Sequence, residues 1–209
     1  MADWVTISAL ATAGGTFALA ATTYASVRSA NRAARAAETS MLAQLRPLMI
    51  PSSQGDTEQR IGFGDGVGLT VPGGGAAVEI AGGNVYVGIS IRNVGPGIGV
   101  LHGGWVSAEA RLAGRDHAPL EEFRMLTRDI YVPPGKVSFW QIAFRDSEDA
   151  ERNAMREAVE SGGFTVDLLY GDYEGGQRVI SRFRVLREDD GAWIHTALRH
   201  WQIDRSDPR

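Results

Sequence analysis

Residues 164–185 read FTVDLLYGDYEGGQRVISRFRV, and this stretch decides the fold class. On each side of the central DYEGG segment, apolar side chains alternate with other residues, a period of two that is typical of half-buried β-strands. The DYEGG segment supplies the residue types that form tight turns. Keeping both apolar sets on one face places Phe164 opposite Val185, and on the other face it places Asp167 beside Arg182. The stretch therefore predicts an antiparallel β-hairpin.

Shorter segments with the same alternation surround the hairpin, separated by turns rich in glycine and proline such as NVGPG and PPG. One segment, near residues 149–160, has a helical pattern instead, with Ser147 as its N-cap. The sequence predicts a mainly β fold, an antiparallel β-sandwich that is immunoglobulin-like in outline, with this one short helix. The further predicted strands are at residues 48–51, 60–64, 67–71, 85–92, 98–101, 104–111, 136–144 and 192–198.

A very different segment precedes this domain. Residues 5–27 carry no charged side chain, and the next charges are Arg28, Arg32 and Arg35. At about 1.5 Å per helical residue the segment reaches roughly 34 Å, enough to cross a hydrocarbon core of about 30 Å. Because cytoplasmic flanks of membrane helices are enriched in lysine and arginine, the three arginines predict a single-pass membrane protein whose N-terminus is outside and whose remainder is cytoplasmic.

The helical pattern continues beyond the uncharged segment, since no glycine or proline occurs between Thr16 and Arg46, and Pro47 then ends it. We therefore divide the chain into a transmembrane and juxtamembrane helix, residues 1–46, and a β-sandwich domain, residues 47–209. The arginine face of the helix is expected to lie against anionic lipid headgroups.

Two other interpretations of the uncharged segment remain open. Ala18-Leu19-Ala20 has the form of a signal-peptide cleavage site, although Asp3 stands where such peptides carry basic residues. Alternatively, the helix is soluble and buries the segment in an oligomer. An alanine-rich seam beyond the segment, together with the small-xxx-small spacing of Gly14 and Ala18, predicts a surface for a homo-oligomer.

Composition narrows the classes of function. The chain has 209 residues and a formal net charge of −4, so it offers no general attraction to nucleic acid. It contains no cysteine, which excludes disulfides, zinc–thiolate sites and iron–sulfur clusters. The absence of cysteine is also consistent with a reducing compartment.

One group of basic side chains is a candidate binding patch. Arg178, Arg182 and Arg184 share a face of the second hairpin strand. Guanidinium groups arranged in this way can bind phosphate or an acidic partner. The alternative is a solvated sheet face that Asp167 partly neutralises.

We predict no catalytic, cofactor or metal site. The glycine-rich stretches lack the Lys-Ser/Thr pair of a phosphate-binding loop, and no serine lies in a G-x-S-x-G motif. His195 and His200 would point to opposite faces of a strand, which does not suit a shared metal. The alternative that involves catalysis is a hydrolase-like enzyme with a dispersed site built from His102, Asp172 and His195.

Several turn and aromatic motifs carry a resemblance: RNVGPG (92–97), VLHGGW (100–105), YVPPG (131–135), YGD before GG (170–176) and RHW (199–201). Together they resemble a group of small uncharacterised proteins from high-GC Gram-positive bacteria. That resemblance covers most of the chain after Leu45 and implies an N-terminal membrane helix and a β-rich cytoplasmic or surface domain. It implies no activity, because its motifs are turns and core aromatics.

These observations lead us to expect a membrane-anchored binding or scaffolding protein. Its expected partners are the lipid bilayer and an unidentified protein, with no cofactor. The alternatives are the hydrolase-like enzyme and a soluble oligomer assembled through the N-terminal helix.

Overall fold

The computed structural model describes residues 3–109, 116–145 and 150–204. The chain divides into two compact units, Met1–Ala43 and Gln44–Arg209. Almost all of the first unit is helix α1, which runs without interruption over Trp4–Leu45 and buries none of its side chains. The helix ends at Leu45, two residues before Pro47, whose ring cannot continue it.

The second unit is built mostly from β-strands, with one more α-helix and a 3-10 turn at Leu120–Glu122. In chain order its elements are β1 (Met49–Pro51), β2 (Gln59–Gly62), β3 (Gly68–Val71), β4 (Gly75–Ala81), β5 (Asn84–Asn93), β6 (Gly99–Ser107), β7 (Arg124–Val132), β8 (Val137–Phe144), α2 (Ala150–Ser161), β9 (Gly163–Asp172), β10 (Val179–Arg187) and β11 (Trp193–Gln202).

Nine of these strands form one antiparallel sheet in the order β1-β5-β4-β11-β10-β9-β6-β7, with β8 also paired to β5. Strand β11 joins the two halves of the sheet, since Trp193 pairs with Ala76 and Ile194 with Gly75 of β4. Strands β7 and β8 follow each other in the chain but pair with different strands, β6 and β5. They therefore diverge after their connecting turn, which gives the domain the form of a half-barrel.

The sheet faces itself across one apolar core, so the domain is also sandwich-like. Helix α2 covers one part of this core with Met155, Ala158 and Val159. It ends at Ser161, and the next residue, Gly162, has a φ of 86°, which suits the position after a helix C-terminus. The largest contributions come from β5 and β9, through Val85, Val87, Ile89, Ile91, Phe164, Val166, Leu168 and Tyr170.

A second apolar cluster lies on the other side of β5, where the two-stranded sheet β2–β3 covers it. Ile61 and Val71 pack with Tyr86 there. A Cβ on Gly88 would come within 2.8 Å of side-chain atoms of both Ile61 and Val71. The missing side chain at this position therefore lets β2–β3 approach β5, which is buried on both faces.

Asn93, at the end of β5, joins three parts of the domain. Its side-chain oxygen accepts hydrogen bonds from the backbone of Leu48 and Gly95, at 3.1 and 3.0 Å. Its amide group donates to the carbonyl oxygens of Gly97 and Val132, at 2.7 and 2.8 Å. Because Asn93 is fully buried, these bonds tie the beginning of the domain to the turn of residues 95–97 and to the end of β7.

The predicted fold class is confirmed: a long N-terminal helix, a mostly antiparallel β domain and one more short helix. The hairpin register is also confirmed, with Phe164 opposite Val185 and Asp167 opposite Arg182. Two strands, β4 and β7, were not predicted. The expected helix N-cap, Ser147, and the end of the strand expected at 104–111 lie outside the described residues.

Candidate functional site

The predicted orientation signals of α1 lie on one exposed helix face. Arg28, Arg32 and Arg35 are spaced by four and three residues, so their side chains follow one line along the helix. Tyr24 lies one turn before Arg28 on the same side. None of the three arginines forms an ion pair with any residue that the structure describes.

Five hydroxyl groups within the uncharged segment donate to backbone carbonyls of the helix itself. Ser8 donates to the carbonyl oxygen of Val5 at 3.0 Å, and Thr12 and Thr16 each donate to a carbonyl four residues earlier at 2.8 Å. Thr22 and Thr23 both donate to the carbonyl of Leu19. Such bonds remove the main cost of placing a hydroxyl in hydrocarbon.

Exposed aromatic residues lie near both ends of the same segment. Trp4 and Tyr24 are both exposed and stand about 30 Å apart along the helix axis, at about 1.5 Å per residue. This separation equals the thickness of a hydrocarbon core, and aromatic rings favour its two interfaces. By length and composition, α1 can cross a membrane.

The predicted patch on β10 does not form one accessible cationic surface. Arg182 is only 2% exposed, and it donates to both carboxylate oxygens of Asp167 at 2.6 and 2.7 Å. Its guanidinium also lies 4.9 Å from the ring centroid of Trp201. Arg178 is paired with Asp204 at 2.7 Å, a contact that lowers the pKa of that carboxyl. Arg184 is half-buried, so the three arginines have three different environments.

The dispersed residues of the hydrolase alternative are only partly brought together. His102 occupies the irregularity between β6 and β9, and its Nε2 would lie 2.9 Å from a Cβ on Gly171. It is close enough to Asp172 for that carboxylate to raise its pKa, although burial dominates and lowers it. His195 pairs with Val185, at the opposite end of the hairpin from Asp172, and burial lowers its pKa to about 4.

A buried chain of hydrogen bonds crosses the inner side of the sheet. His200 Nδ1 lies 2.6 Å from the hydroxyl of Ser181, which lies 2.8 Å from that of Tyr170. Tyr170 in turn accepts from the backbone N–H of Met49 at 3.1 Å, and burial raises its pKa to about 12. Ser181 is fully buried, so no substrate reaches it, and the chain joins β1, β9, β10 and β11. The one hint in the sequence was a serine on the apolar face of β10.

The diverging strands β7 and β8 enclose a cleft of about 540 Å³. Residues 124–127 of β7 form one side of it, residues 140–143 of β8 the other, and the β2–β3 turn around Asp65 completes the rim. Trp140 closes the floor, since its ring would lie 2.3 Å from a Cβ on Gly104 of β6. No sequence pattern indicated this cleft, because strand β7 was not predicted.

Two polar atoms of the cleft-lining residues are buried and have no hydrogen-bond partner among the described residues: the indole N–H of Trp140 and the side-chain oxygen of Gln141. Trp140 itself is only 1% exposed. Buried polar groups in folded proteins are almost always hydrogen-bonded. Because successive residues of a strand point to opposite faces, these two unpaired atoms lie on opposite sides of β8.

Charged and aromatic side chains meet at the rim of this cleft. Arg145 donates to Asp65 at 2.8 Å and Tyr86 donates to the same oxygen at 2.6 Å; these two bonds lower the pKa of Asp65 to about 2. Arg124 pairs with Glu151 of α2, and its guanidinium lies 4.8 Å from the ring centroid of Phe144. The lining thus carries two guanidinium groups and one carboxylate.

Among the described residues, no group of three or more His, Asp or Glu side chains is placed to hold a metal ion.

Comparisons with known proteins identify no family for the chain. No protein-family model matches it, and no curated protein sequence does. One solved structure, a β-glucosidase from Kluyveromyces marxianus, is similar over 66% of this chain and 15% of that protein, with 13% identity and a TM-score of 0.21. A similarity at that level carries no argument about fold or function.

Proposed function

We propose that the chain is a single-pass membrane protein whose β-rich domain acts as a binding or scaffolding module on the cytoplasmic side. The observation that carries the proposal is α1 itself: an uninterrupted helix with an uncharged segment of 23 residues, no buried side chain and five of its hydroxyls bonded within the helix. Between its terminal turns such a helix satisfies its backbone groups internally, as a lipid environment requires.

The orientation follows from the charges that flank the segment. Asp3 is the only charged side chain before it, whereas Arg28, Arg32 and Arg35 follow it. Positively charged flanks remain in the cytoplasm. Each arginine near an anionic membrane surface contributes about 1 kcal/mol, and these three have no competing ion pair within the described chain.

A topology assay tests both parts of the proposal. Cells that express the full chain with a C-terminal tag are extracted with carbonate, and intact cells are treated with protease from outside. We expect the tag in the carbonate-resistant membrane fraction and protected from protease. A cleaved tag would contradict the orientation. Recovery in the soluble fraction would favour the soluble oligomer or a removed signal peptide.

Two triple variants provide the matched comparison. Replacing Arg28, Arg32 and Arg35 with glutamate should expose the tag on part or all of the protein, since the orienting charge is reversed. Replacing the same residues with lysine retains the charge and should leave the tag protected. If the glutamate variant also keeps its tag protected, the three arginines do not set the orientation.

A further inference from the structure

We infer that the cleft between β7 and β8 binds an extended, carboxylate-bearing peptide segment of a partner protein, which pairs with the free edge of β8. The inference rests on the proposed function, because it names the class of partner that a membrane-anchored binding module would hold.

Of the two strands that border the cleft, β8 has the edge better suited to pairing with an added strand. Within the described chain β8 pairs only with β5, in a regular register from Val85–Phe144 to Arg92–Val137. Strand β7 pairs with β6 through a register shift between Leu101 and Gly103, which bends it. An exposed edge carries unpaired backbone N–H and C=O groups, and an extended peptide satisfies them by adding a strand.

The dimensions of the cleft suit a short peptide. Its volume of about 540 Å³ lies within the roughly 300–1,000 Å³ of ligand sites.

The charges of the cleft favour a carboxylate on that segment. Arg145 is engaged by Asp65, which belongs to the lining. Glu151, an ion-pair partner of Arg124, lies outside the lining and is 66% exposed, so this pair contributes little free energy that an incoming carboxylate would have to replace. An incoming carboxylate can replace Glu151 on a guanidinium that already lies over the ring of Phe144.

The test begins with the full chain in lipid nanodiscs, or in buffer if it proves soluble, presented to a phage-displayed library of linear heptapeptides. A selected peptide is synthesised, and hydrogen exchange is measured with and without it. We expect enriched peptides to contain Asp or Glu, and saturating peptide to slow exchange in β8 about tenfold or more, while interior strands such as β10 remain unchanged.

Variants test the role of the charge. Arg124→Gln should weaken peptide binding about ten- to hundredfold, the usual contribution of a hydrogen bond to a charged group. Arg156→Gln is the matched control, since Arg156 is an ion-paired arginine that does not line the cleft. It should leave binding unchanged. Equal melting temperatures of the two variants exclude a general loss of structure.

Several outcomes would overturn the inference: no enrichment above that on the Arg124→Gln protein, peptides that slow exchange elsewhere but not in β8, or peptides that prefer basic residues. If β8 is protected from hydrogen exchange even in the absence of peptide, and this protection increases with protein concentration, the occupant of the cleft is a second copy of this chain. Failure of peptide binding in a protein that remains in membranes contradicts this inference alone. Peptide binding by a soluble chain contradicts only the anchor.

Discussion

The arginines of α1 and those of the β domain differ in what surrounds them. Among the described residues of the domain, seven arginines form ion pairs with carboxylates of the same chain. The pairs range from the fully buried Arg182–Asp167 to the exposed Arg156–Glu160. In α1, Arg28, Arg32 and Arg35 have no such partner within the described residues. In the β domain, arginine side chains therefore form contacts within the fold. In α1, the three arginines can bind an anion from outside the chain.

The difference has a physical basis in solvation. A buried guanidinium must be paired, because leaving it uncompensated costs several kcal/mol. An exposed guanidinium on a helix surface pays no such cost, so nothing within the chain needs to pair it. An anionic lipid headgroup can then engage all three helix arginines without breaking an existing contact.

The largest effect is expected when the domain loses its buried pair. Asp167→Asn leaves Arg182 buried without a counter-charge and should lower the free energy of unfolding by about 3–5 kcal/mol. Urea denaturation, followed by tryptophan fluorescence, measures this change. A loss below about 1 kcal/mol would mean that the buried arginine is no more dependent on its partner than an exposed one.

The next prediction places an arginine inside the uncharged segment of α1. Thr16→Arg, at the centre of residues 5–27, should make membrane insertion less favourable by about 2.5–3.5 kcal/mol. Carbonate extraction should then recover much of the protein in the soluble fraction. Thr16→Val is the control and should remain in the membrane. Equal retention of both variants would indicate that α1 contacts protein rather than lipid.

Acid should weaken the domain through His195, whose pKa burial lowers to about 4. Between pH 6.5 and 4 the unfolded chain binds this proton and the folded chain does not, so stability falls with pH, by about 2 kcal/mol between pH 8 and pH 5. Urea midpoints over this range measure the slope. Membrane retention through the helix arginines should stay constant, because arginine remains charged throughout.

Two variants test whether His195 causes this dependence of the free energy of unfolding on pH. His195→Gln should flatten it, whereas His102→Gln, at another histidine whose pKa burial lowers, should retain the part that His195 causes. The pKa of Asp65, about 2, places its own contribution below pH 3.8, outside this window. An unchanged slope in His195→Gln would contradict the assignment.

The smallest effect is expected at the exposed Arg156–Glu160 pair of α2. Glu160→Gln should change the free energy of unfolding by less than about 0.5 kcal/mol, as is typical of exposed pairs one helical turn apart. The same urea measurement serves, with Asp167→Asn in parallel. Comparable losses in the two variants would remove the distinction between buried and exposed pairs.

The elements that the sequence predicted well are those with a strong local period. The hairpin of β9 and β10 alternates over its whole length, and both its register and the Asp167–Arg182 pair follow from that alternation. The turn before β8 was predicted for the same local reason. Gly135 has a φ of 72°, and the N–H of Lys136 donates to the carbonyl oxygen of Pro133 at 3.1 Å.

The unpredicted features depend on contacts between distant residues. Strand β7 is an edge strand, and its exposed, charged residues hide the apolar period. The cleft exists only because β7 and β8 pair with different strands, which no local pattern specifies. Two ion pairs illustrate this: Arg178 pairs with Asp204, 26 positions further along the chain, and Arg145 pairs with Asp65, 80 positions earlier. The three environments of Arg178, Arg182 and Arg184 depend on such distant partners, which the alternation of β10 does not specify.

The pairing of β11 with β4 also sets an order of events during synthesis. β4 leaves the ribosome more than a hundred residues before Trp193 and Ile194, the two residues that pair with it. The nine-stranded sheet therefore cannot close while the chain is still short, whereas α1 emerges first and needs no later residue to form. Synthesis proceeds at about 5–20 residues per second, so α1 emerges many seconds before β11. Any machinery that recognises the nascent apolar helix can therefore act before the domain has folded.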